Sequence, residues 1–165
     1  MNKLVSLLIT LLTLCGCSLS TLNAVVPGGP STLISNLEYG KSNRQRLDIH
    51  QPNSLPSKAA VIIFFYGGRW QSGERAEYRF VGQALAKRGF LAVIPDYRLF
   101  PDVEFPHFID DAGAVTRWVL KNIQQYGGDP SKVYLMGHSA GAHMAAMLIS
   151  NKQYLNNQQV DHKDI

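Results

Sequence analysis

The sequence predicts an α/β fold built on a mostly parallel sheet flanked by helices, and three observations carry that prediction. Ala59–Phe65 and Leu91–Ile94 are apolar throughout, without the alternation of a strand that keeps one face wet, so both faces must be covered. Helical stripes fall between and after these runs. A third apolar run, Val133–Met136, passes through a glycine-flanked turn directly into a small-residue helical segment.

The elements follow in order. Ile34 to Tyr39 supplies a first strand. Arg46 to His50 sets Leu47 and Ile49 against polar neighbours, the pattern of a half-buried strand, and Arg44 and Arg46 read as the flanks of a solvated one. After Ala59–Phe65, the run from Phe80 through Ala84 and Leu85 to Lys87-Arg88-Gly89 gives an amphipathic helix with a glycine stop. A second helix runs from about His107 to Tyr126, with Phe108, Ala112, Val115, Val119 and Ile123 as its apolar stripe. Asp110 and Asp111 lie in its first turns, where carboxylates suit the positive end of the helix dipole. Gly127-Gly128-Asp129-Pro130 turns the chain into Val133–Met136, and Ala140, Ala142, Ala145 and Ala146 let the next helix pack closely on the sheet. Trp70 and Trp118 read as core or pocket wall.

The chain has 165 residues, 45% hydrophobic and 17% charged, which suits one globular domain. The net charge of +4 is scattered, with no basic block interleaved with aromatics, so no nucleic-acid partner is expected. Residues 1–17 read as a lipoprotein signal: a short positive start, an apolar stretch from Leu4 to Leu14 too short to span a bilayer, then Leu14-Cys15-Gly16-Cys17. That last run resembles a bacterial lipobox, which would make Cys17 the lipidated residue. The expected location is therefore the bacterial cell envelope, by a lipid anchor, and Ser18 after the cysteine resembles sorting to the outer membrane in a Gram-negative source. Residues 18–32, with Pro27-Gly28-Gly29-Pro30-Ser31, read as a flexible tether, and 33–165 as the domain. With Cys17 acylated, the other cysteine departs with the leader and no disulfide forms. Oligomeric state is not legible.

Gly137-His138-Ser139-Ala140-Gly141 is a G-x-S-x-G motif in the setting that gives it meaning. A strand before and a helix after make a nucleophile elbow, a strained turn that presents a serine hydroxyl at the top of a sheet. Tyr66-Gly67-Gly68-Arg69-Trp70 follows a buried strand, and two glycines there allow backbone N–H groups to turn inward toward an oxyanion. Ser139 is the candidate nucleophile. Gly67, Gly68 and Ala140 are the candidate oxyanion donors. The spacing of His138 and His143 is not the i, i+4 of a helical metal pair, so no metal and no cofactor is expected.

With these residues in place the chain resembles the esterase branch of the α/β-hydrolases, which includes hormone-sensitive-lipase-like carboxylesterases, kynurenine formamidases and feruloyl-esterase-like hydrolases. The resemblance rests on Leu47-Asp48-Ile49, Tyr66-Gly67-Gly68-Arg69-Trp70, Asp96-Tyr97-Arg98-Leu99, Phe105-Pro106, Tyr126-Gly127-Gly128-Asp129-Pro130 and the elbow, over about Leu37 to Ser150. It implies a serine hydrolase that acts on small carboxylic or related acyl esters through an acyl-enzyme, on the N-terminal part of an α/β-hydrolase fold. It also makes Asp96 a structural residue near the Gly67-Gly68 loop. Where the family most often has His before the two glycines this chain has Tyr66, and Arg69 stands where a third glycine is common.

The resemblance further implies an acid and then a histidine after the serine, and the chain offers neither in place. His50 and His107 precede Ser139, His138 is in the elbow itself, and His143 reads as pointing away one turn into the helix. Asp161-His162-Lys163-Asp164 reads as a solvated terminus, since adjacent residues cannot form the histidine–acid arm of a triad. The expectation is an N-terminal fragment whose acid and histidine lie beyond Ile165, with Val133–Met136 left as an apolar sheet edge. The alternative is an inactive lipoprotein that serves as a binding or structural module. The acyl and alcohol groups of a substrate cannot be read.

Overall fold

The computed structural model describes residues 22, 23, 25, 31–54 and 58–165. The expected leader with Cys17, and most of the 18–32 tether, lie outside the described residues. Five strands form one sheet in the order β1-β2-β4-β3-β5. They are β1 (Ser31–Glu38), β2 (Arg46–Pro52), β3 (Ala59–Phe65), β4 (Leu91–Pro95) and β5 (Gly128–Gly137). β3 pairs in parallel with β4 and β5, while β2 runs antiparallel to both β1 and β4. Four strands therefore run one way and β2 alone is reversed. Of the expected tether, Ser31 and Thr32 belong to β1 and residues 22, 23 and 25 are helical.

Helices cover the sheet: α1 (Arg79–Lys87), α2 (His107–Asn122) and α3 (Ala140–Ser150). α1 gives way to Gly89 at φ 87°, and α2 tightens into a 3-10 turn, Ile123–Tyr126, before Gly127 at φ 83°. Both glycines adopt the left-handed conformation that ends helices. All five residues of the expected α2 stripe are buried. They pack with Ile63, Phe65, Val93, Ile109 and Leu148 in one core.

The half-buried reading of β2 fails. Asp48 and His50 are as enclosed as Leu47 and Ile49, with 8% and 2% of their surface exposed. β2 lies between β1 and β4, and α1 closes its second face, with Gly82 seated directly on the His50 ring. Asp48 is tolerated because it accepts hydrogen bonds from Arg75 Nε and from the Asn36 N–H, each 2.8 Å. Nδ1 of His50 has no partner among the described residues. Burial pulls its pKa down to about 4, with Arg79 adding to the effect and Asp48 opposing it.

Candidate active site

Ser139 sits between β5 and α3 with φ 53° and ψ −119°, a conformation few non-glycine residues hold. Such a residue costs about 1–3 kcal/mol and persists only where its surroundings dictate it. The surroundings are the two motif glycines. A Cβ on Gly141 would land on the carbonyl of Phe65, and one on Gly137 on the carbonyl of Gly141. The turn is held by hydrogen bonds from His138 N to Phe65 O at 3.0 Å and from Gly141 N to His138 O at 2.9 Å.

The loop after β3 lies against this elbow. A Cβ built on Gly67 would stand 3.0 Å from both Ser139 Cβ and His138 Nδ1. The loop then turns through left-handed backbone at Gly68 (124°), Arg69 (57°) and Trp70 (58°), closing at Gly73 (102°). Gln71 N and Ser72 N both donate to Gly68 O, at 2.9 and 3.1 Å. Among the described residues the N–H groups of Gly68 and Ala140 find no backbone acceptor. The Gly67 N–H lies toward the Tyr78 hydroxyl, where it partly offsets the rise that burial gives that phenol. Gly67 thus lies against Ser139, with Gly68 and Ala140 next to them in the chain.

Beneath the loop is a buried polar network. Tyr66 is fully buried, and its hydroxyl donates to Asp96 Oδ1 at 2.7 Å. Burial, then the Asp96 charge, holds this phenol far above the usual range, so it remains a donor. Asp96 also accepts from the Arg75 N–H at 2.7 Å and pairs with the Arg75 guanidinium, which reaches Asp48 as well. Asp96 is therefore structural, spent on Tyr66 and Arg75. Asp111 is more than a helix-dipole residue. It is 1% exposed and takes hydrogen bonds from Arg98 Nη2 at 2.6 Å, the Arg98 N–H at 2.9 Å and Gln45 Nε2 at 2.8 Å.

Beside the loop opens a groove of about 400 Å³, walled by Trp70, Phe100, Phe105 and Phe108 with Arg69 and Glu104 at its polar margin. Trp70 stacks on Phe108 at 5.3 Å, so it is wall, as read from the sequence. Its other neighbour is the His143 ring, which meets it edge-on at 5.3 Å.

No histidine side chain hydrogen-bonds to Ser139 among the described residues. His143 reaches it only through its own backbone N–H, at 3.1 Å from Ser139 O. His162 Nε2 meets the Ile149 carbonyl, and His107 Nδ1 the Glu104 carbonyl, each at 3.0 Å. No cluster of three or more metal-ligating side chains occurs among the described residues. Sequence reasoning missed Arg44, Arg75 and the aromatic groove. The groove residues are scattered singly over two loops and a helix start, and no spacing rule joins them.

Comparison with known proteins agrees with this geometry. The BD-FAE family model matches residues 47–164. A probable isoprenylcysteine α-carbonyl methylesterase of Oryza sativa subsp. japonica is 39% identical over 116 residues, 70% of this chain and 27% of that protein. Kynurenine formamidase of Danio rerio is 34% identical over 71% of this chain and 39% of its own length. Among solved structures, esterase B from Lactobacillus rhamnosis superposes on 97% of this chain and 54% of its own, with TM-score 0.78 and 24% identity, a likeness of fold. A thermophilic esterase from Thermogutta terrifontis does so over 76% and 45%, with TM-score 0.60 and 31% identity. The chain thus spans about a quarter to two fifths of these sequence relatives and about half of these solved structures. With the elbow, the inward loop and the strand order all in place over the matched residues, the chain belongs to the BD-FAE family of α/β-hydrolase carboxylesterases.

Proposed function

We propose that this chain carries the nucleophile and oxyanion half of a serine hydrolase acting on small carboxylic esters. The observation that carries the proposal is the backbone of Ser139, held at φ 53° against Gly67. The Ser139 hydroxyl attacks the ester carbonyl as a general base takes its proton. The carbonyl oxygen becomes an oxyanion, held by N–H groups of Ala140 and the Gly67-Gly68 turn. Each such donor is worth about 2.7–4 kcal/mol. Collapse expels the alcohol and leaves an acyl-Ser139 ester, which water cleaves through the same oxyanion site. No cofactor takes part. Cys17 carries the lipid that anchors the protein to the bacterial envelope.

In the longer protein, Ser139→Ala is expected to lower kcat about 10⁶-fold with little change in stability, since the members of a triad act as a unit. A drop below about tenfold removes Ser139 from the role. Mass spectrometry of membrane-fraction protein is expected to show a diacylated N-terminus at Cys17, and an unmodified terminus at Ser20 or later refutes the anchor. A second reading, an inactive binding module, is favoured by the lack, among the described residues, of a histidine side chain hydrogen-bonded to Ser139. The two diverge on the protein isolated from its source: the enzyme reading expects labelling by a fluorophosphonate at Ser139, the module reading none.

A further inference from the structure

We infer that Arg44 is a positioning residue for the oxyanion loop, tying the two ends of Gly67–Gly73 together from the β1–β2 turn. The inference rests on the reading of that loop as the source of oxyanion donors. The sequence places Arg44 beside a strand, where a solvated role is the simple expectation, and the structure gives it another. Its Nε donates to Tyr97 O at 2.8 Å, and its Nη2 to Tyr66 Oη at 2.9 Å and to Gly73 O at 2.8 Å. Tyr66 immediately precedes the loop and Gly73 closes it. One guanidinium therefore bridges the entry and exit of the segment that holds Gly67 and Gly68.

The bridge is aimed from both sides. The Tyr66 hydroxyl has one proton, which goes to Asp96 Oδ1 at 2.7 Å, leaving its lone pairs for Arg44. The Tyr66 ring is fixed between Tyr78 and Tyr97, with centroids at 5.2 and 4.8 Å. Gly73 lies against that ring, where a Cβ would come within 2.9 Å of Cε2. Arg44 itself stands on a stiff turn: Tyr39 N donates to Gln45 O, Gln45 N to Ser42 O and Ser42 N to Gln45 Oε1, at 2.9–3.0 Å. Tyr39 Oη and Gln45 Nε2 pin the same turn to Asp96 O at 2.6 Å and Asp111 at 2.8 Å. The loop needs such restraint. It holds left-handed backbone at Arg69 and Trp70, two residues with side chains, and such a conformation relaxes unless neighbours enforce it.

Arg44→Met keeps the aliphatic stem and removes every donor. Tyr66→Phe keeps the stacked ring and removes the hydroxyl. Arg44→Lys restores the charge on a single nitrogen, without the fork that reaches Tyr97 O from Nε and Tyr66 Oη and Gly73 O from Nη2. Residue-resolved amide hydrogen exchange on the 165-residue chain is expected to accelerate about tenfold or more through residues 67–73 in the first two variants, with β3 and β4 unchanged and the lysine variant intermediate. In the hydrolysing protein, kcat is expected to fall about 10–100-fold, since the freed segment carries the oxyanion donors. Unchanged exchange in the loop for both Arg44→Met and Tyr66→Phe, or acceleration spread evenly over the sheet, overturns the inference. Ser139→Ala run in parallel separates the claims. A freed loop in Arg44→Met with full hydrolysis in Ser139→Ala keeps the clamp and removes the serine. An unmoved loop with hydrolysis abolished by Ser139→Ala does the reverse.

Discussion

At Gly141 the first turn of α3 approaches the end of β3 so closely that a methyl group has no space, because the obstacle is the Phe65 carbonyl and not a movable side chain. Gly141→Ala is expected to cost about 3 kcal/mol in a urea titration, the upper end of ordinary overpacking. Phe65 is distant in sequence, yet the demand is recorded at the position itself, as the last glycine of G-x-S-x-G. His50 shows the opposite case. The alternation around it gives a solvent-facing position, and only the later α1, with Gly82 against the ring, encloses it. Its folded pKa of about 4 lies below the ordinary 6.5, so as pH falls through that interval the unfolded chain takes a proton that the folded chain refuses. Stability is full above about pH 6.5 and is expected to decline by up to about 3 kcal/mol toward pH 4. His50→Phe should flatten that part of the stability profile. Persistence of the slope in the variant assigns it to other groups.

Among the elements, those whose apolar pattern matches their own period were predictable. The α2 stripe and the continuous β3 and β4 runs needed nothing from the rest of the chain. β2 did not yield to the same logic, because its polar residues are paired with partners distant in sequence, Asp48 with Arg75 and Asn36. The start of α2 is a further instance. Asp111 looks like a dipole residue in sequence, yet it fastens the helix to Arg98 after β4 and to Gln45 in the β1–β2 turn. Asp111→Ala would leave Arg98 without its carboxylate in a half-buried setting. The expected loss is about 3–5 kcal/mol of unfolding free energy, measured by chemical denaturation. A loss below about 1 kcal/mol would place the pair among ordinary surface bridges.

Across the whole molecule, β5 is the outermost described strand on its side of the sheet, and it turns Tyr134 and Met136 outward at 55% and 43% exposure. Ile149 of α3 adds 44% exposure to the exposed apolar total. An apolar strand edge invites another strand. The 165-residue chain is therefore expected to self-associate in sedimentation velocity at micromolar concentration, and Tyr134→Lys with Met136→Lys to restore the monomer. Monomeric behaviour of the unaltered chain would show that the edge is protected. The candidate site, by contrast, lies at the strand ends around Gly67 and Ser139, and its donors are set by short-range backbone geometry. The sequence also predicts the apolar edge at Val133–Met136, and β5 is the outermost described strand on that side.

The opposite border of the sheet is not open in the same way. β1 carries a register shift between Ile34 and Leu37, with Asn36 at φ 63° and its N–H taken by the Asp48 carboxylate. Its far end is occupied by the Glu38–Arg46 ion pair at 2.8 Å. Irregular, charged borders do not template a new strand. Among the described residues, only one of the two borders is therefore expected to accept a neighbour. A body with a single receptive side can join another only like to like, and the joined pair then has nothing left to offer. Polymerisation by strand addition stops at two copies, so the irregularity at Asn36 acts as a chain terminator that sets an upper limit on the assembly.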